Sequence, residues 1–309
     1  MIWGYTAILL VYLIVILVLL YGYQKQATFH LRKEAVITKF SIVIPFRNEA
    51  DNLPALLQSL QQLSYPETHF EVLFVNDHSE DLSEEIIQKQ LEDTQIDFKI
   101  LQNTPNQSAP KKTAITLAIA MAKYDWILTT DADCNVPKAW LNAFNDYCIS
   151  NQVVCIAAPV TYTSNNSLLE RYQQLDNWSL QSVTVASFAL QNPLLSNGAN
   201  FAYKKDVFIA VNGFEGNLHI ASGDDLFLLE KIAARFPKQI GYLKSSSAVV
   251  TTYPVTSWKA LVSQRVRWAS KTSAQKELTT KLIGSIVFLA AVAVLLFLLF
   301  FYTLYGVRM

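Results

Sequence analysis

Three short charged segments carry the chemistry this chain can do. Asp131-Ala132-Asp133 sets two carboxylates one residue apart, Gly223-Asp224-Asp225 sets two side by side, and Gln264-Arg265-Val266-Arg267-Trp268 mixes cations with an amide and an indole. An Asp-X-Asp pair can hold Mg2+ or Mn2+, and such an ion also takes diphosphate oxygens and stabilises a phosphate leaving group. The same pair can cap a helix or close a turn. The apolar Ile127-Leu128-Thr129-Thr130 just before it favours the metal, because a strand there delivers both acids to a ligand-binding edge. Asp225 is the candidate general base for an acceptor hydroxyl, and a neighbouring acid such as Asp224 can raise a carboxyl pKa toward working pH. Helix capping by Asp224 is the competing use. Arg and Trp three positions apart can grip a diphosphate and stack on a sugar ring, or a basic helix can bind anionic headgroups.

Those side chains need a scaffold, and the pattern supplies one. Residues 41–45 read as a short buried strand, followed by Leu53, Leu56, Leu57, Leu60 and Leu63 at helical spacing. Phe70 to Val75, Phe98 to Leu101 and Trp126 to Thr130 are strand-like; Ser83 to Leu91 and Lys112 to Ala122 are helical. Alternating strands and helices predict an α/β domain with a mainly parallel sheet covered on both faces. Ligands then sit beyond the C-terminal strand ends, where Pro45-Phe46-Arg47-Asn48-Glu49, Asn76-Asp77-His78 and Asp131-Ala132-Asp133 all fall. Asp77 suits a uracil N3–H or a ribose hydroxyl, and equally a turn. Lys111 and Lys112 follow Pro110 at a helix start, a place for phosphate or for two solvated cations. Gln102 to Pro110 is a polar loop; Ser167 to Leu190 is a long helix with an apolar stripe through Leu168, Leu169, Tyr172, Leu175, Trp178 and Leu180.

At 51% hydrophobic and 16% charged, the chain is too apolar to be wholly soluble. Residues 1–24 carry no charge and 282–307 carry none, and about 20 apolar residues suffice to cross a bilayer. The first run is too long for a signal peptide and has no small-residue cleavage site after it, so it reads as a retained anchor. The expected organisation is a transmembrane helix (1–24), a basic linker (25–37), an α/β domain (38–254), an interfacial amphipathic helix (255–281) and a second transmembrane helix (282–307). Lys25, His30, Arg32 and Lys33 follow the first span; Lys259, Arg265, Arg267, Lys271, Lys276 and Lys281 precede the second. Positive flanks face the cytoplasm, which makes this a multi-pass membrane protein with a cytoplasmic domain and both ends, including Arg308, outside. With 25 basic and 25 acidic residues the chain has no nucleic-acid signature. Cys134, Cys148 and Cys155 form no CxxC pair and read as reduced thiols.

In this order the segments resemble the family 2 inverting glycosyltransferases of GT-A fold, particularly the membrane-anchored branch that includes polysaccharide synthases and ceramide glucosyltransferase. The resemblance covers about residues 38–270. Ser41 to Glu49 looks like the family's opening strand, Val75 to Asp81 its nucleotide-binding turn, and Asp131-Ala132-Asp133 its DxD. Ser222-Gly223-Asp224-Asp225 is similar to the element whose last Asp is the base, and Gln264 to Trp268 fits QxxRW. The resemblance implies transfer of a sugar from a nucleoside-diphosphate donor, a UDP-sugar first, to a lipid or glycan acceptor. It implies donor contacts from Pro45, Arg47, Glu49, Asp77, Lys111 and Asp131, and a metal on Asp131 and Asp133. Asp225 would act as base, with Asp224, Gln264, Arg265, Arg267 and Trp268 closing the site on the acceptor and diphosphate. Two departures stand out. Asn76-Asp77 replaces a pair of acids, leaving nucleotide recognition to Asp77, and Arg47 takes a position often aromatic, where its planar guanidinium can stack instead. A non-catalytic membrane adaptor using the basic helix would need none of the acids, and a nucleotidyltransferase would have no use for QxxRW.

Overall fold

The computed structural model describes residues 2–105, 108–163, 167–274 and 278–305. The apolar N-terminal run is one helix, α1 (Ile2–Lys25), long and apolar enough to cross a membrane. Strand and helix then alternate as β1 (Phe40–Phe46), α2 (Leu53–Gln61), β2 (Phe70–Asn76), α3 (Ser83–Leu91), β3 (Asp97–Gln102), α4 (Pro110–Met121) and β4 (Trp126–Thr129). The four strands lie in the order β3-β2-β1-β4, all parallel. β1 shows the reason. Ile42 and Ile44 enter one buried cluster with Leu53, Leu56 and Leu57 of α2, while Val43 enters another with Ala114, Ile115 and Ala118 of α4. A strand buried on both faces needs apolar side chains in succession, which is why it reads as a continuous run. Phe46 stands level with Asn76, and Asn76 with Gln102, so the strand ends share one edge as expected.

Beyond β4 come β5 (Cys134–Asn135), α5 (Trp140–Ser150), β6 (Cys155–Ala157), β7 (Val160–Tyr162), α6 (Leu168–Ala189), β8 (Phe201–Lys204), α7 (Lys205–Ala210), α8 (Asp224–Arg235), β9 (Ile240–Tyr242) and β10 (Val250–Thr252). β8, β6 and β9 extend the sheet to seven strands, β8 running antiparallel to both neighbours; β5, β10 and β7 make a small second sheet. β5, β6, β7, β9 and β10 have two or three residues each, too short to show a period in the sequence. The chain continues through α9 (Trp258–Ala274) into α10 (Leu278–Tyr305), of which Leu278–Phe300 is again apolar and long enough to cross a membrane. Lys276, Arg308 and Val307, the expected end of the second span, lie outside the described residues, as do 106–107 within the polar loop.

Residues 25–37 are tied down along α5. Buried Asp146 accepts the N–H groups of Arg32 (2.7 Å) and Lys33 (3.0 Å), and buried Asn145 accepts those of Ile37 (3.2 Å) and Thr38 (3.1 Å). Phe29 N–H donates to the Lys244 carbonyl at 2.7 Å. Gly22 of α1 packs so closely on α6 that an added Cβ would lie 2.7 Å from the Ala186 carbonyl oxygen. The apolar stripe of α6 differs from a core-facing one: Leu168, Tyr172, Leu175 and Trp178 all point outward.

Candidate active site

Lys111 is the hub of the site. It occupies the second position of α4, and Pro110 before it starts the helix with a ring whose fixed φ suits the first turn. Its Nζ lies 2.6 Å from Asp131 Oδ1 and 3.4 Å from Asp224 Oδ2. One ammonium thus joins the DxD segment, past the end of β4, to the start of α8. Burial alone would lower the Lys111 pKa, but Asp131, Asp224 and Asp225 outweigh it and hold the amine well above its ordinary value. Neighbouring Lys112 does something else. It is fully buried, donates to the carbonyls of Asn217 and Ile220 (both 2.8 Å), and sits 4.8 Å from the centroid of the Phe227 ring. It therefore clamps the segment leading to Gly223, while Lys111 faces the acids.

Asp224 and Asp225 open α8 behind Gly223, whose φ of 81° is a left-handed conformation that glycine adopts without strain. Gly223 takes the N-cap position and there is no side-chain cap bond, which corrects the capping role considered for Asp224. Asp224 is buried and turned to Lys111 instead. Asp225 Oδ2 accepts the Gly198 N–H at 3.0 Å and Oδ1 accepts the Leu226 N–H at 2.8 Å, so the carboxylate has a set orientation.

Gly198 belongs to a turn that motif reading passed over. The Asn197-Gly198-Ala199-Asn200 segment is pinned by Thr129, whose hydroxyl donates to the Gly198 carbonyl at 2.6 Å. Buried Asn200 accepts from Trp140 Nε1 (3.0 Å) and donates to the carbonyls of Pro159 (2.8 Å) and Ala248 (2.7 Å). A Cβ on Gly198 would come within 2.8 Å of Asp224 Oδ2, so a glycine is what lets this turn touch the acid pair. The sequence signal was present in the Asn-Gly-Ala-Asn polar turn; its location was not.

At the neighbouring strand ends, Asp77 accepts from Asn103 Nδ2 at 2.7 Å and lies 3.9 Å from the exposed Arg47 guanidinium. Pro45, half-buried in β1, pairs with Val75 of β2. Loops 46–52 and 76–83 are laced together: Asn48 N–H donates to Ser79 Oγ (3.0 Å), Glu49 N–H to Ser83 Oγ (2.8 Å), and Glu80 N–H to Asn48 Oδ1 (2.8 Å). Asn48 and His78 hold left-handed φ values of 53° and 58° to allow this. Glu49 faces the DxD acids: its pKa is raised by burial and by Asp133 and Asp131, against a hydrogen bond from Asn52 that lowers it. Asp133 is likewise raised by burial and by Asp131, while bonds from Thr252 and Cys134 and the charge of Lys111 pull it down.

The excess of carboxylates over the single Lys111 ammonium suits a divalent cation on Asp131 and Asp133. Among the described residues no three His, Cys, Asp or Glu side chains converge as a complete cage. An ion with oxygen preference would complete its shell with diphosphate and water, as Mg2+ habitually does.

The QxxRW segment divides around its helix. Leu261 is buried and Gln264, Arg265 and Trp268 are partly buried on the same side of α9; Arg267 is exposed. Residues two apart on an α-helix are about 200° around its axis, so Arg265 and Arg267 cannot both face one site. Arg265 is the one turned inward. It forms an ion pair with Asp176 of α6 at 2.5 Å, donates to Gln264 Oε1 at 2.9 Å, and lies 4.1 Å from the centroid of the Trp268 ring. It also hydrogen-bonds the buried Tyr162, whose environment includes Asp133. Arg265 thus lies against Tyr162, a side chain that also feels the charge of Asp133.

Comparison with known proteins agrees with this arrangement. A family model described as Glycosyl transferase family 2 matches residues 41–211. The chain is 24% identical over 242 residues to the probable glycosyltransferase YdaM of Bacillus subtilis (strain 168), covering 75% of this chain and 55% of that protein. It is 26% identical over 188 residues to the glycosyltransferase AglE of Haloferax volcanii, covering 60% and 58%. The chain thus spans a little over half the length of these curated relatives. Among solved structures, the mannosyltransferase PcManGT of Pyrobaculum calidifontis, in complex with GDP-Man and Mn2+, superposes with a TM-score of 0.66 at 17% identity, covering 94% of this chain and 84% of that one. TarS of Staphylococcus aureus, residues 1–349 with UDP-GlcNAc, gives 0.54 at 18% identity, covering 71% and 60%. The fold is the expected GT-A arrangement.

Proposed function

The chain belongs to glycosyl transferase family 2, and on that premise we propose an inverting glycosyltransferase that moves a sugar from a nucleoside-diphosphate donor to a lipid or glycan acceptor at the cytoplasmic face of a membrane. The observation that carries the reading is the Lys111 ammonium bridging Asp131 and Asp224 beside Asp225. On this reading Lys111 is the cation for the diphosphate, Asp131 belongs to the metal-binding pair and Asp225 is the base, and their closeness at the C-terminal edge of the sheet supports it. A non-catalytic adaptor has no need of that convergence.

Asp77 receives the nucleoside, held in place by Asn103, with exposed Arg47 beside it to stack on the base. UDP is the first nucleotide to test, because a single carboxylate accepts the N3–H of uracil. Asp131 and Asp133 would hold Mg2+ or Mn2+, which when bound neutralises charge on the departing diphosphate. Lys111, beside Asp131, contributes to the same neutralisation. Asp225 takes the proton of the acceptor hydroxyl as that oxygen bonds to the sugar's anomeric carbon. The bond from that carbon to the diphosphate oxygen breaks on the opposite face, and its electron pair leaves with the nucleoside diphosphate. Arg265 and Trp268 close the site where α9 meets the membrane, and α1 and α10 cross the bilayer. The cations that follow α1 and precede α10 set the domain on the cytoplasmic side.

Asp225→Asn tests the reading. Loss of the base should lower turnover about 10²-fold or more with donor binding intact. Wild-type turnover in this variant would remove Asp225 from the mechanism.

A further inference from the structure

One face of α6 holds the segments around Arg265 in place. Gln173, Asp176 and Asn177 stand at i, i+3 and i+4, the spacing that sets side chains on one side of a helix. Each grips a different part of the chain. Buried Gln173 pairs with both main-chain groups of Val255, just before α9: its Nε2 donates to the carbonyl at 2.9 Å and its Oε1 accepts the N–H at 3.0 Å. Buried Asn177 donates to the carbonyl of Val160, the first residue of β7, at 3.0 Å. Between these two, Asp176 meets the Arg265 guanidinium of α9 at 2.5 Å. The side chains as wholes are 31% and 26% exposed, yet the atoms in contact, Asp176 Oδ2 and Arg265 Nη2, are shielded from water. An ion pair so placed is screened less than one on the open surface.

What Arg265 touches gives its placement a consequence. Its Nη1 donates to Gln264 Oε1 at 2.9 Å, its guanidinium lies 4.1 Å from the centroid of the Trp268 ring, and it hydrogen-bonds Tyr162 of β7. Tyr162 stands in register with Thr252 of β10, whose side chain bonds Asp133. A guanidinium is a rigid planar fork on a long, rotatable stem. With one arm of the fork on a carboxylate, the stem cannot turn without breaking the ion pair, so the arm toward Gln264 and the face toward Trp268 keep their directions. Without the carboxylate, Arg265 is a partly buried cation with several other rotamers open to it. We infer that Asp176 is a positioning residue for sugar transfer, acting through Arg265, which in turn presents Gln264 and Trp268 to the donor and acceptor. The inference rests on the reading that Gln264, Arg265 and Trp268 close the site. It makes the charge at position 176 a requirement of the reaction, where Gln173 and Asn177 on the same face serve the fold.

Asp176→Asn tests this, because it keeps the size and shape of the side chain and removes the charge. The full chain is assayed in phospholipid vesicles, below the unfolding midpoint of every variant, with whichever UDP- or GDP-hexose of a panel the wild-type chain cleaves fastest. Turnover is read as release of the nucleoside diphosphate, and affinity as binding of that same diphosphate with Mn2+ by calorimetry. Turnover should fall about tenfold or more while affinity stays within about threefold, since a displaced closing group costs more in the transition state than in the ground state. Arg265→Met should show a similar loss, and Asp176→Asn combined with Arg265→Met no more than Arg265→Met alone, because a residue that acts through another adds nothing once the other is gone. The double variant leaves neither partner unpaired, so it decides the matter even where Asp176→Asn fails to fold. Wild-type turnover in Asp176→Asn, a loss carried by affinity alone, or losses that multiply in the double variant overturn the inference and leave Arg265 in the site. Wild-type turnover in Arg265→Met overturns the inference together with the reading on which it rests.

Discussion

Replacing Gly198 with Ala separates activity from stability. The added Cβ would stand 2.8 Å from Asp224 Oδ2, 3.5 Å from Lys111 Nζ and 3.7 Å from Asp225 Cβ. Comfortable contact begins at about 3.5 Å, so the Asp224 carboxylate has to retreat by roughly 0.7 Å. It can do so by turning its own side chain, with no movement of main chain. The Lys111–Asp224 separation then grows from 3.4 Å toward 4 Å. At an effective dielectric of about 20 that stretch forfeits roughly 0.7 kcal/mol of attraction. Ala at a position without a left-handed φ returns about 0.4–1 kcal/mol by restricting the unfolded chain, so the melting temperature should hardly change. Catalysis is less forgiving. A misplacement of about 1 Å can cost roughly 10²-fold, and a shift somewhat smaller should lower turnover by about tenfold or more. Thermal unfolding alongside single-turnover sugar transfer measures both quantities. Wild-type turnover in Gly198→Ala would show that the position of Asp224 relative to Lys111 does not matter to the reaction. A large loss of stability would show that main chain, not the carboxylate, takes the strain.

The adjacent lysines should part company when each is changed to Met. Lys112→Met strands the Asn217 and Ile220 carbonyls at about 1–3 kcal/mol each and should lower the unfolding midpoint with donor affinity kept, whereas Lys111→Met should lose donor affinity as well as the stability its three acids give it; donor affinity lost in Lys112→Met and kept in Lys111→Met would exchange their roles. Chelation of divalent ions should weaken binding of the nucleotide sugar by about tenfold or more, read by calorimetry, and unchanged affinity would remove the metal from Asp131 and Asp133. The three thiols should resist a maleimide near neutral pH in the folded protein. Burial holds Cys134 and Cys155 well above the usual thiol range and pushes Cys148 up to about 12, so rapid native labelling at any of them would contradict the packing around β5, β6 and α5.

Much of this site is legible in the residues themselves. Strands buried on both faces announce themselves as apolar runs, so β1, β2 and β4 could be located, and with them the acids and loops just past their ends. Whatever follows from such local order, including Pro45 to Glu49, Asp77 and the DxD pair on one edge, was available from the residues alone. The second half resisted because β5, β6, β7, β9 and β10 have two or three residues each and owe their existence to partners distant in the chain.

By itself the sequence determined two apolar helices, a mainly parallel α/β domain, and the residue types needed for sugar transfer. Tertiary structure decided which of those residues meet. Lys111 and Lys112 are chemically identical neighbours, yet one faces three acids and the other is locked behind Phe227, because successive positions on α4 point about 100° apart. The same rotation along α9 turns Arg265 toward Tyr162 and leaves Arg267 exposed. Gly198 carries no chemistry of its own and matters because Thr129 and Asn200 bring its bare Cα against Asp224. Side-chain type is a local property, but contact is set by where distant segments cross, and only the packed chain specifies that.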